Sequence, residues 1–440
     1  MRPRLGVVAD DITGSGDLGG LLAKHGYAVR ILSAEADWEG LCAQLAGERT
    51  DVLIIDTDSR FLAPEEARAR VVRATKALQA AGCGAFWKKT CSVFRGNVGV
   101  EFDAMMDTLG LASGVTIAAF PKNGRTTLHG DHFVRGVPLP DSEFGTDPVH
   151  PLREGNLRLS LLAQTPHRTE TLPIETVRAG AGAVRAARAA LAAAGARYVL
   201  LDAQTQEDLQ VLAQAFAHEP VFLGSSGLAE ELPAVWPPAG PFAVQAAAPW
   251  VHPDRVILVA GSVMPQTRAQ IEQYVLAGGH VHDLDLTLTL QTPERAADEL
   301  AARALPTVEA HSTALLRSPN RPEQVASARA LGASLGLSGV EVSQRISSTL
   351  AHAAAQVARQ SGTEKLIALG GDTSAALIRA CGVTQSVVVE ELAPGLPSTY
   401  APAEHLLLVL KSGSFGPPDF LLRAIASLQR SPLDRAGDDA

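Results

Sequence analysis

Two adjacent carboxylates near the start of the chain are the first residues whose type and spacing could do chemistry. Asp10 and Asp11 end a short apolar run and are followed by a glycine-rich turn in the sequence VVADDITGSGDLGG. In open α/β sheets ligands gather at the carboxyl ends of strands, so this pair is predicted to stand at the rim of a cleft. The glycine spacing matches neither the dinucleotide fingerprint nor the Walker A pattern, and the structural alternative is that the aspartates cap a helix. The run alone therefore predicts a polar ligand and nothing narrower.

Positively charged residues follow other apolar runs in the first half of the chain. Arg60 follows DVLIIDTDS, and an arginine just past a strand end suits bidentate binding of a carboxylate. The stretch FWKKTCSVFRGN concentrates positive charge and backbone N–H groups where a helix is expected to start. Its candidate anion-binding residues are Lys88, Lys89, Ser92 and Arg95. A surface ion pair for Arg60 and a basic turn that only starts a helix are the alternatives.

The run IAAFPKNGRTTLHGDHFVRGVPL is rich in turn residues and is typical of a ligand-binding loop between domains. It adds Arg125 to the candidate substrate-binding residues. His129 in the same run is expected to be a hydrogen-bonding loop histidine.

Three glycine-rich turns in the second half each follow an apolar run and precede an expected helix, in VILVAGSVMPQ, LIALGGDTSAA and LVLKSGSFGPP. Backbone N–H groups at a helix start can hold a phosphate, and small residues let it approach. Any one such turn could be structural, but three that can converge on one sheet edge predict a nucleotide cradle. Asp372 or a nearby carboxylate is expected to meet a magnesium ion, with the metal ligands otherwise unknown. The candidate nucleotide-binding residues are Ser262, Gly370, Gly371, Asp372, Thr373 and Gly413.

Alternating strand and helix patterns position these residues. LGVVADD, YAVRILS, DVLIIDTDS, AFWKKT and GVTIAAFP read as strands separated by helices, and the same alternation resumes in the second half. The prediction is an α/β fold of two domains, each a mainly parallel sheet covered by helices, with the active site in the inter-domain cleft. The expected boundaries are residues 1–235, a Pro- and Ala-rich linker at 236–254, residues 255–426, and a flexible tail at 427–440.

Composition excludes several classes of function. The 440 residues carry a net charge of -9 and no basic stretch interleaved with aromatic residues, which argues against nucleic acid as the main partner. No stretch approaches the ~18 apolar residues that a membrane helix needs, and the apolar run near the N-terminus is too short for a signal peptide. The four cysteines show no CxxC pair, so reduced thiols in the cytoplasm are expected.

Seven motifs in order resemble those of the four-carbon acid sugar kinases, a family that includes D-threonate, D-erythronate and 3-oxo-tetronate kinases. They are ADDITGSGD, KKTCSVFRGNVGVEFDAMMD, FPKNGRTTLHG, GSSGLAEEL, VAGSVMPQTRAQI, LGGDTSAALI and LKSGSFGPPDFL. The resemblance covers residues 5 to 425 and implies ATP-dependent phosphorylation of the terminal hydroxyl of an acid sugar. It makes residues 1–235 the sugar-acid-binding domain and residues 255–426 the nucleotide-binding domain.

By position, the resemblance places the acid-sugar pocket on Asp10, Asp11, Arg60, Lys88, Lys89, Ser92 and Arg95, and the nucleotide site on Ser262, Gly370 to Thr373 and Gly413. The family's usual stretch reads Lys-x-Asp-Ser-Thr-x-Arg-Gly-Asn. Here Cys91 stands at the Asp and Val93 at the Thr, so the pocket loses a carboxylate and a hydroxyl. A branched or oxidised substrate such as 3-oxo-isoapionate is therefore an alternative.

The resulting hypothesis is that Arg60, Arg95 and a lysine hold the substrate carboxylate, while Asp10 or Asp11 orients the hydroxyl and accepts its proton. The expected ligands are an acid sugar, ATP and Mg²⁺, and a homodimer is the candidate assembly. The alternatives are an NAD-dependent dehydrogenase, disfavoured because GxGxxG with a later acidic residue is absent, and a two-lobed metabolite-binding protein.

Overall fold

A computed structural model of the chain describes residues 4–147, 150–430 and 433. The chain forms two compact units, Met1–Phe242 and Ala243–Ala440. In both units strands alternate with helices, which confirms the predicted α/β class. Among the described residues, no helix is both long enough and apolar enough to cross a bilayer.

The first unit contains strands β1 to β11 and helices α1 to α8. The strands are β1 Arg4–Ala9, β2 Val29–Leu32, β3 Val52–Asp56, β4 Cys83–Lys89, β5 Gly114–Ile117, β6 Arg125–Leu128, β7 Asp131–Val134, β8 Val137–Pro138, β9 Thr169–Leu172, β10 Tyr198–Leu201 and β11 Val221–Gly224. The helices are α1 Ile12–Ala23, α2 Trp38–Gln44, α3 Pro64–Ala80, α4 Val98–Leu109, α5 Leu157–Leu162, α6 Ile174–Arg178, α7 Ala181–Ala193 and α8 Gln206–Phe216.

The main sheet of the first unit has the order β2-β3-β1-β4-β11-β5-β10-β9, and all its pairings are parallel. Its central strands are almost continuously apolar because both faces of a parallel sheet are covered. Ala9 pairs with Asp56 on one side and with Lys89 on the other. The residues that follow β1, β3 and β4 therefore emerge together at one edge.

The run predicted to be a ligand-binding loop instead forms a small antiparallel sheet of β6, β7 and β8. Two-residue turns, His129–Gly130 and Arg135–Gly136, join the strands, and all four turn residues have positive φ. Turns of this kind match the right-handed twist of paired strands. The sequence signal was the pair of X-Gly turns six residues apart, flanked by short β-forming runs. The carboxylate of Asp202 accepts hydrogen bonds from the backbone N–H groups of the first turn.

The second unit contains strands β12 to β18 and helices α9 to α15. The strands are β12 Val256–Ala260, β13 Val281–Asp283, β14 Thr313–Arg317, β15 Lys365–Leu369, β16 Gln385–Ala393, β17 Leu396–Ala401 and β18 Leu406–Lys411. The helices are α9 Pro265–Leu276, α10 Leu286–Gln291, α11 Pro293–His311, α12 Pro322–Ser334, α13 Gly339–Ser361, α14 Gly371–Cys381 and α15 Phe420–Arg430.

The sheet of the second unit has the order β13-β14-β12-β15-β18-β17-β16. The pairings from β13 to β18 are parallel, and β17 and β16 are added antiparallel. Ala260 pairs with Leu369, and Leu369 pairs with Lys411, so β12, β15 and β18 end in register. The three glycine-rich turns therefore begin at the same edge of the sheet.

Two segments were expected to be irregular. Residues 236–254 contain no helix or strand, but the indole N–H of Trp236 donates to the carbonyl oxygen of Ala217 at 2.9 Å, and Trp250 packs edge-on against Tyr400. Residues 427–430, predicted to belong to a flexible tail, instead complete α15 because Leu428 is fully buried in the core. Apart from residue 433, the remainder of that tail lies outside the described residues.

Gly96 fixes how the loops after β3 and β4 meet. Its φ is +86°, and a Cβ at this position would lie 2.2 Å from the carbonyl oxygen of Arg60. The neighbouring Asn97 donates from Nδ2 to the carbonyl oxygen of Leu62 at 2.8 Å. No side chain fits between these two backbones, so the position requires glycine.

We expect Gly96→Ala to destabilise the protein more than Gly82→Ala. Gly82 has a similar φ of +80° but open space around its Cα, so its substitution costs only the left-handed strain of about 1–2 kcal/mol. Gly96→Ala adds a backbone clash, and we expect a total loss of about 3 kcal/mol or more in the free energy of unfolding. Chemical denaturation of both variants measures the difference. Equal losses would contradict the close approach of the two loops.

Candidate functional sites

The guanidinium of Arg60 binds both Asp10 and Asp11, which we call the carboxylate pair. Its Nε and Nη2 donate to Asp10 at 2.8 and 2.9 Å, and its Nη1 and Nη2 donate to Asp11 at 2.9 and 2.6 Å. Asp10 is 1% exposed and Asp11 is 9% exposed. All three guanidinium nitrogens are thus engaged by the pair, and Arg60 is not placed to hold a substrate carboxylate as the hypothesis assumed.

Asp11 also caps helix α1. Its carboxylate accepts the backbone N–H of Gly14 at 2.9 Å and the hydroxyl of Thr13 at 2.6 Å. Burial alone would raise the pKa of Asp11, but the charges of Arg60 and Lys89 outweigh it and lower this pKa to about 2. The carboxylate is therefore ionised at neutral pH, and the helix-capping alternative considered for the sequence describes part of its role.

Lys89 lies beside the carboxylate pair and bonds to an acid that the sequence analysis missed. Its ammonium is 3.4 Å from the carboxylate of Asp17 on α1, which also accepts from the Ser226 hydroxyl. Burial raises the pKa of Asp17 despite the charge of Lys89. The sequence signal was an acidic residue inside an otherwise apolar and glycine-rich helix.

Lys88 points into a different environment. Its ammonium pairs with Glu101 on α4 at 2.8 Å, and both side chains are almost completely buried. The second carboxylate oxygen of Glu101 accepts from the Ser59 hydroxyl at 2.5 Å. Lys88 therefore joins β4 to α4 and to the loop after β3. It was predicted to bind an anionic ligand, but its ammonium pairs with Glu101 instead.

Asp56, the last residue of β3, is a further buried acid near the carboxylate pair. Its carboxylate accepts from the backbone N–H of Asp58 at 2.9 Å. Burial, together with the negative charges of Asp58 and of the carboxylate pair, raises the pKa of Asp56 well above its usual value.

A cationic and aromatic cluster adjoins these acids. The Arg95 guanidinium lies 5.3 Å from the centre of the Phe144 ring, the Arg125 guanidinium lies 5.8 Å from the same centre, and Arg95 Nε donates to Cys91 Sγ at 3.4 Å. Burial would raise the pKa of Cys91, but Arg95 and Arg60 lower it. Burial and then Arg135 lower the pKa of Arg125 to about 10, so it keeps its charge at neutral pH. The buried Ser92 lies in the same loop.

In the second unit the three turns converge on a tight group that we call the glycine cradle, made of Gly261, Ser262, Gly370, Thr373 and Gly413. A Cβ on Gly261 would lie 2.4 Å from the Thr373 hydroxyl, and one on Gly413 would lie 2.4 Å from the Ser262 hydroxyl. Gly370 has φ +119°, and a Cβ there would lie 3.2 Å from that of Ser262. Backbone groups and the Ser262 and Thr373 hydroxyls therefore surround this point, together with the side chains of Met264 and Leu350.

Two helices begin at the cradle without a side-chain cap. Helix α9 follows Met264 and helix α14 follows Gly370, and neither residue makes a capping hydrogen bond. Uncapped N–H groups carry partial positive charge, which suits a phosphate. Gly371 and the exposed Asp372 lie in the first turn of α14. Over residues 4–147 and 150–430, no group of three or more His, Cys, Asp or Glu side chains could hold a metal ion.

Two family models match this chain in sequence. A model described as a sugar-binding N-terminal domain matches residues 5–232, and one described as a nucleotide-binding C-terminal domain matches residues 257–421. The first contains the carboxylate pair and the second contains the glycine cradle.

Curated relatives match over nearly the full chain. A 3-oxo-tetronate kinase from Burkholderia multivorans is 32% identical, with 97% of this chain and 98% of that protein covered. A D-erythronate kinase from Heliobacterium modesticaldum is 33% identical, with 88% of each covered. A D-threonate kinase from Salmonella typhimurium is 30% identical, with 95% of this chain and 97% of that protein covered.

A solved structure of a Haemophilus influenzae protein has a TM-score of 0.70 and 28% identity to this chain, with 96% of this chain and 100% of that chain covered. The two family models match one unit each, and the curated relatives match across both units. These matches confirm the family that the seven motifs resemble. The chain belongs to the four-carbon acid sugar kinase family.

Proposed function

We propose that the protein transfers the γ-phosphoryl group of ATP to the terminal hydroxyl of a four-carbon acid sugar such as threonate, erythronate or 3-oxo-tetronate. The observation that carries this proposal is the glycine cradle, where three strand ends and two uncapped helix starts bring glycines and the Ser262 and Thr373 hydroxyls together around one point. Relatives that bear the names of such kinases support the substrate class.

The acid-sugar pocket is proposed at the carboxyl ends of β1, β3 and β4. Arg95 is the cation proposed for a substrate carboxylate, with Arg125 beside the same Phe144 ring, because Arg60 is taken up by the carboxylate pair and Lys88 by Glu101. Asp10 or Asp11 orients the terminal hydroxyl as an acceptor, and the charge of Lys89 helps to keep Asp11 ionised. Phosphoryl transfer needs positioning and charge neutralisation more than covalent chemistry, so a weakly basic carboxylate suffices for this role.

The nucleotide site is proposed at the glycine cradle, with Ser262, Gly370, Gly371, Thr373 and Gly413 around the phosphates. The residues fit such a group because Gly261 and Gly413 have no side chain and lie against the Thr373 and Ser262 hydroxyls, so backbone N–H and hydroxyl groups can be approached closely. Bound Mg²⁺ would neutralise phosphate charge, and the exposed Asp372 is the carboxylate placed to approach it. Cations that bind mainly through phosphates and water need few protein ligands.

A cavity of about 310 Å³ in the second unit suits the nucleoside. The loop after β14 contacts both the cavity and the cradle. Pro319 in this loop lines the cavity, and Asn320 donates to the carbonyl oxygen of Ser262 at 3.5 Å. Its walls are mainly apolar with a few polar groups, as in most base-binding pockets. The lining residues are Leu286, Thr287, Pro319, Glu323, Gln324, Ser327, Ala328 and Leu331.

Cys91 and Val93 favour a close relative of threonate as a second candidate substrate. Cys91 Sγ accepts a hydrogen bond from Arg95, so the thiol lies at the cation assigned to the carboxylate. A thiol and a valine offer fewer hydrogen bonds to substrate hydroxyls than an aspartate and a threonine would. A branched or oxidised acid such as 3-oxo-isoapionate is compatible with that loss.

A thermal-shift screen of four- and five-carbon acid sugars tests this function against its alternatives. We expect Mg-ATP to raise the melting temperature and one acid sugar to raise it further, because ligands stabilise the state they bind. A response to NAD without one to ATP would indicate a dehydrogenase, and a response to an acid sugar alone would indicate a binding protein.

We propose that the protein is located in the cytoplasm. All four cysteines are free thiols, and thiols stay reduced in that compartment.

Asp11→Asn is expected to lower kcat by about a hundredfold, because the amide keeps the helix cap but removes the charge that orients the hydroxyl. Asp37→Asn is the matched control, since Asp37 caps α2 in the same way through Gly40 and is exposed. Steady-state kinetics with saturating ATP measure both variants. Full activity of Asp11→Asn would remove Asp11 from the mechanism.

Arg95→Ala is expected to raise KM for the acid sugar about tenfold or more, because a charge-assisted hydrogen bond to a carboxylate is lost. The control is Arg73→Ala, which removes an exposed guanidinium stacked on Trp38 at 4.7 Å. An unchanged KM in Arg95→Ala, with Arg73→Ala also normal, would contradict the assignment of the carboxylate to Arg95.

Gly413→Ala is expected to raise KM for ATP at least tenfold with little change in KM for the acid sugar, because the added methyl occupies the cradle 2.4 Å from the Ser262 hydroxyl. Gly339→Ala is the control, since Gly339 lies in the same unit with open space around it. If both variants bind ATP normally, the phosphates lie elsewhere.

A further inference from the structure

Lys411, the last residue of β18, is completely buried beneath the loop of residues 412–416. Its ammonium has four oxygen partners, the carbonyl oxygens of Ser412, Phe415 and Gly413 at 2.8, 3.1 and 3.3 Å and the Thr267 hydroxyl at 3.3 Å. No carboxylate in the described part of the chain forms an ion pair with it. The ammonium is therefore held by dipoles alone, as a small cation would be.

These contacts set the direction of the peptide groups in the loop. In a trans peptide the carbonyl and the following N–H point in opposite directions. Because the carbonyl groups of Ser412 and Gly413 turn inward to the ammonium, the N–H groups of Gly413 and Ser414 are directed away from it. Gly413 itself belongs to the glycine cradle, where a Cβ on this residue would lie 2.4 Å from the Ser262 hydroxyl.

Helix α9 donates hydrogen bonds to carbonyl groups of the same loop. The Thr267 hydroxyl donates to the carbonyl oxygen of Gly413 at 2.9 Å, and Gln270 Nε2 donates to the carbonyl oxygens of Phe415 and Gly416 at 3.1 Å each. Lys411 and α9 thus donate hydrogen bonds to most of the carbonyl oxygens of this short loop.

A second buried lysine in the same unit provides a comparison. Lys365 begins β15 and donates to the carbonyl oxygens of Pro253 and Leu428 at 2.7 Å each. Since β15 and β18 are parallel and in register, Lys365 lies at the opposite end of the sheet from Lys411. Both lysines are buried, but of the two only Lys411 contacts the loop of residues 412–416.

We propose that Lys411 is a positioning residue for the nucleotide, whose ammonium holds the 412–416 loop in the form that presents its N–H groups to the phosphates. This inference rests on the proposed nucleotide site. Burial lowers the pKa of Lys411 to about 7, and the described groups that face its ammonium are the uncharged Thr267 hydroxyl and the loop carbonyls. A bound phosphate would favour the protonated ammonium, so nucleotide binding should take up a proton.

Calorimetric titration of ATP into Lys411→Met and Lys365→Met tests the proposal. We expect Kd for ATP to rise about tenfold or more in Lys411→Met and to stay within about twofold in Lys365→Met, with KM for the acid sugar unchanged in both. If wild type fails to bind ATP, the proposed function itself is wrong. If wild type binds and a folded Lys411→Met binds equally well, only the role of Lys411 is overturned.

A second measurement on the wild-type protein covers the case in which Lys411→Met does not fold. At about pH 8.5 the phosphates of ATP are fully ionised, while most of an ammonium with the lowered pKa has lost its proton. Titrations in two buffers of different ionisation enthalpy should then show uptake of a large fraction of one proton per nucleotide. NMR of the Lys411 ε-nitrogen in the nucleotide-free protein gives its deprotonated fraction at the same pH, and proton uptake below that fraction would overturn the proposal.

Discussion

Arg60 is the reason that two carboxylates can stand side by side, buried, at the end of β1. Without a counter-charge, repulsion between the two carboxylates would raise the pKa of one of them until it took up a proton, or would push the loop open. Burial adds to this effect because it destabilises the charged form of each group. The four hydrogen bonds from one guanidinium supply the compensating charge. Removing one partner of such a buried cluster typically costs about 3–5 kcal/mol, because the remaining charge is left without compensation. The contact of Gly96 with the Arg60 backbone fixes the loop from which this guanidinium extends.

The proposed ligand sites of the two units are built from different kinds of polar group. The first contains buried side-chain pairs of arginine or lysine with an acid, Arg60 with the carboxylate pair, Lys89 with Asp17 and Lys88 with Glu101. The second relies on backbone dipoles, with glycine and hydroxyl side chains around one point and two helix starts directed at it. A net charge of -9 makes such local devices necessary, since the chain as a whole repels anions.

Local sequence patterns predict the strands and their ends well, whereas contacts between distant residues are predicted poorly. The strands that end at Asp10, Asp56, Lys89 and the three glycine turns were predicted because apolar runs stop abruptly at small or polar residues. The hairpin of β16 and β17 was missed, although Pro394–Gly395 marks its turn, because β16 is only partly buried. Lys88 and Lys89 are adjacent in the sequence, yet one pairs with α4 and the other with α1. Neighbouring strand residues point to opposite faces, and only the packed helices decide which acid each meets.

The protein is proposed to transfer the γ-phosphoryl group of ATP to the terminal hydroxyl of an acid sugar. Phosphorus NMR of a reaction mixture of the protein, Mg-ATP and individual four-carbon acids tests it most directly, because the spectrum reports both ADP and the new ester. The account predicts a single phosphomonoester signal coupled to the protons of the terminal carbon. ATP that stays intact with every acid of four or five carbons, or a phosphate found on an internal hydroxyl, would contradict it.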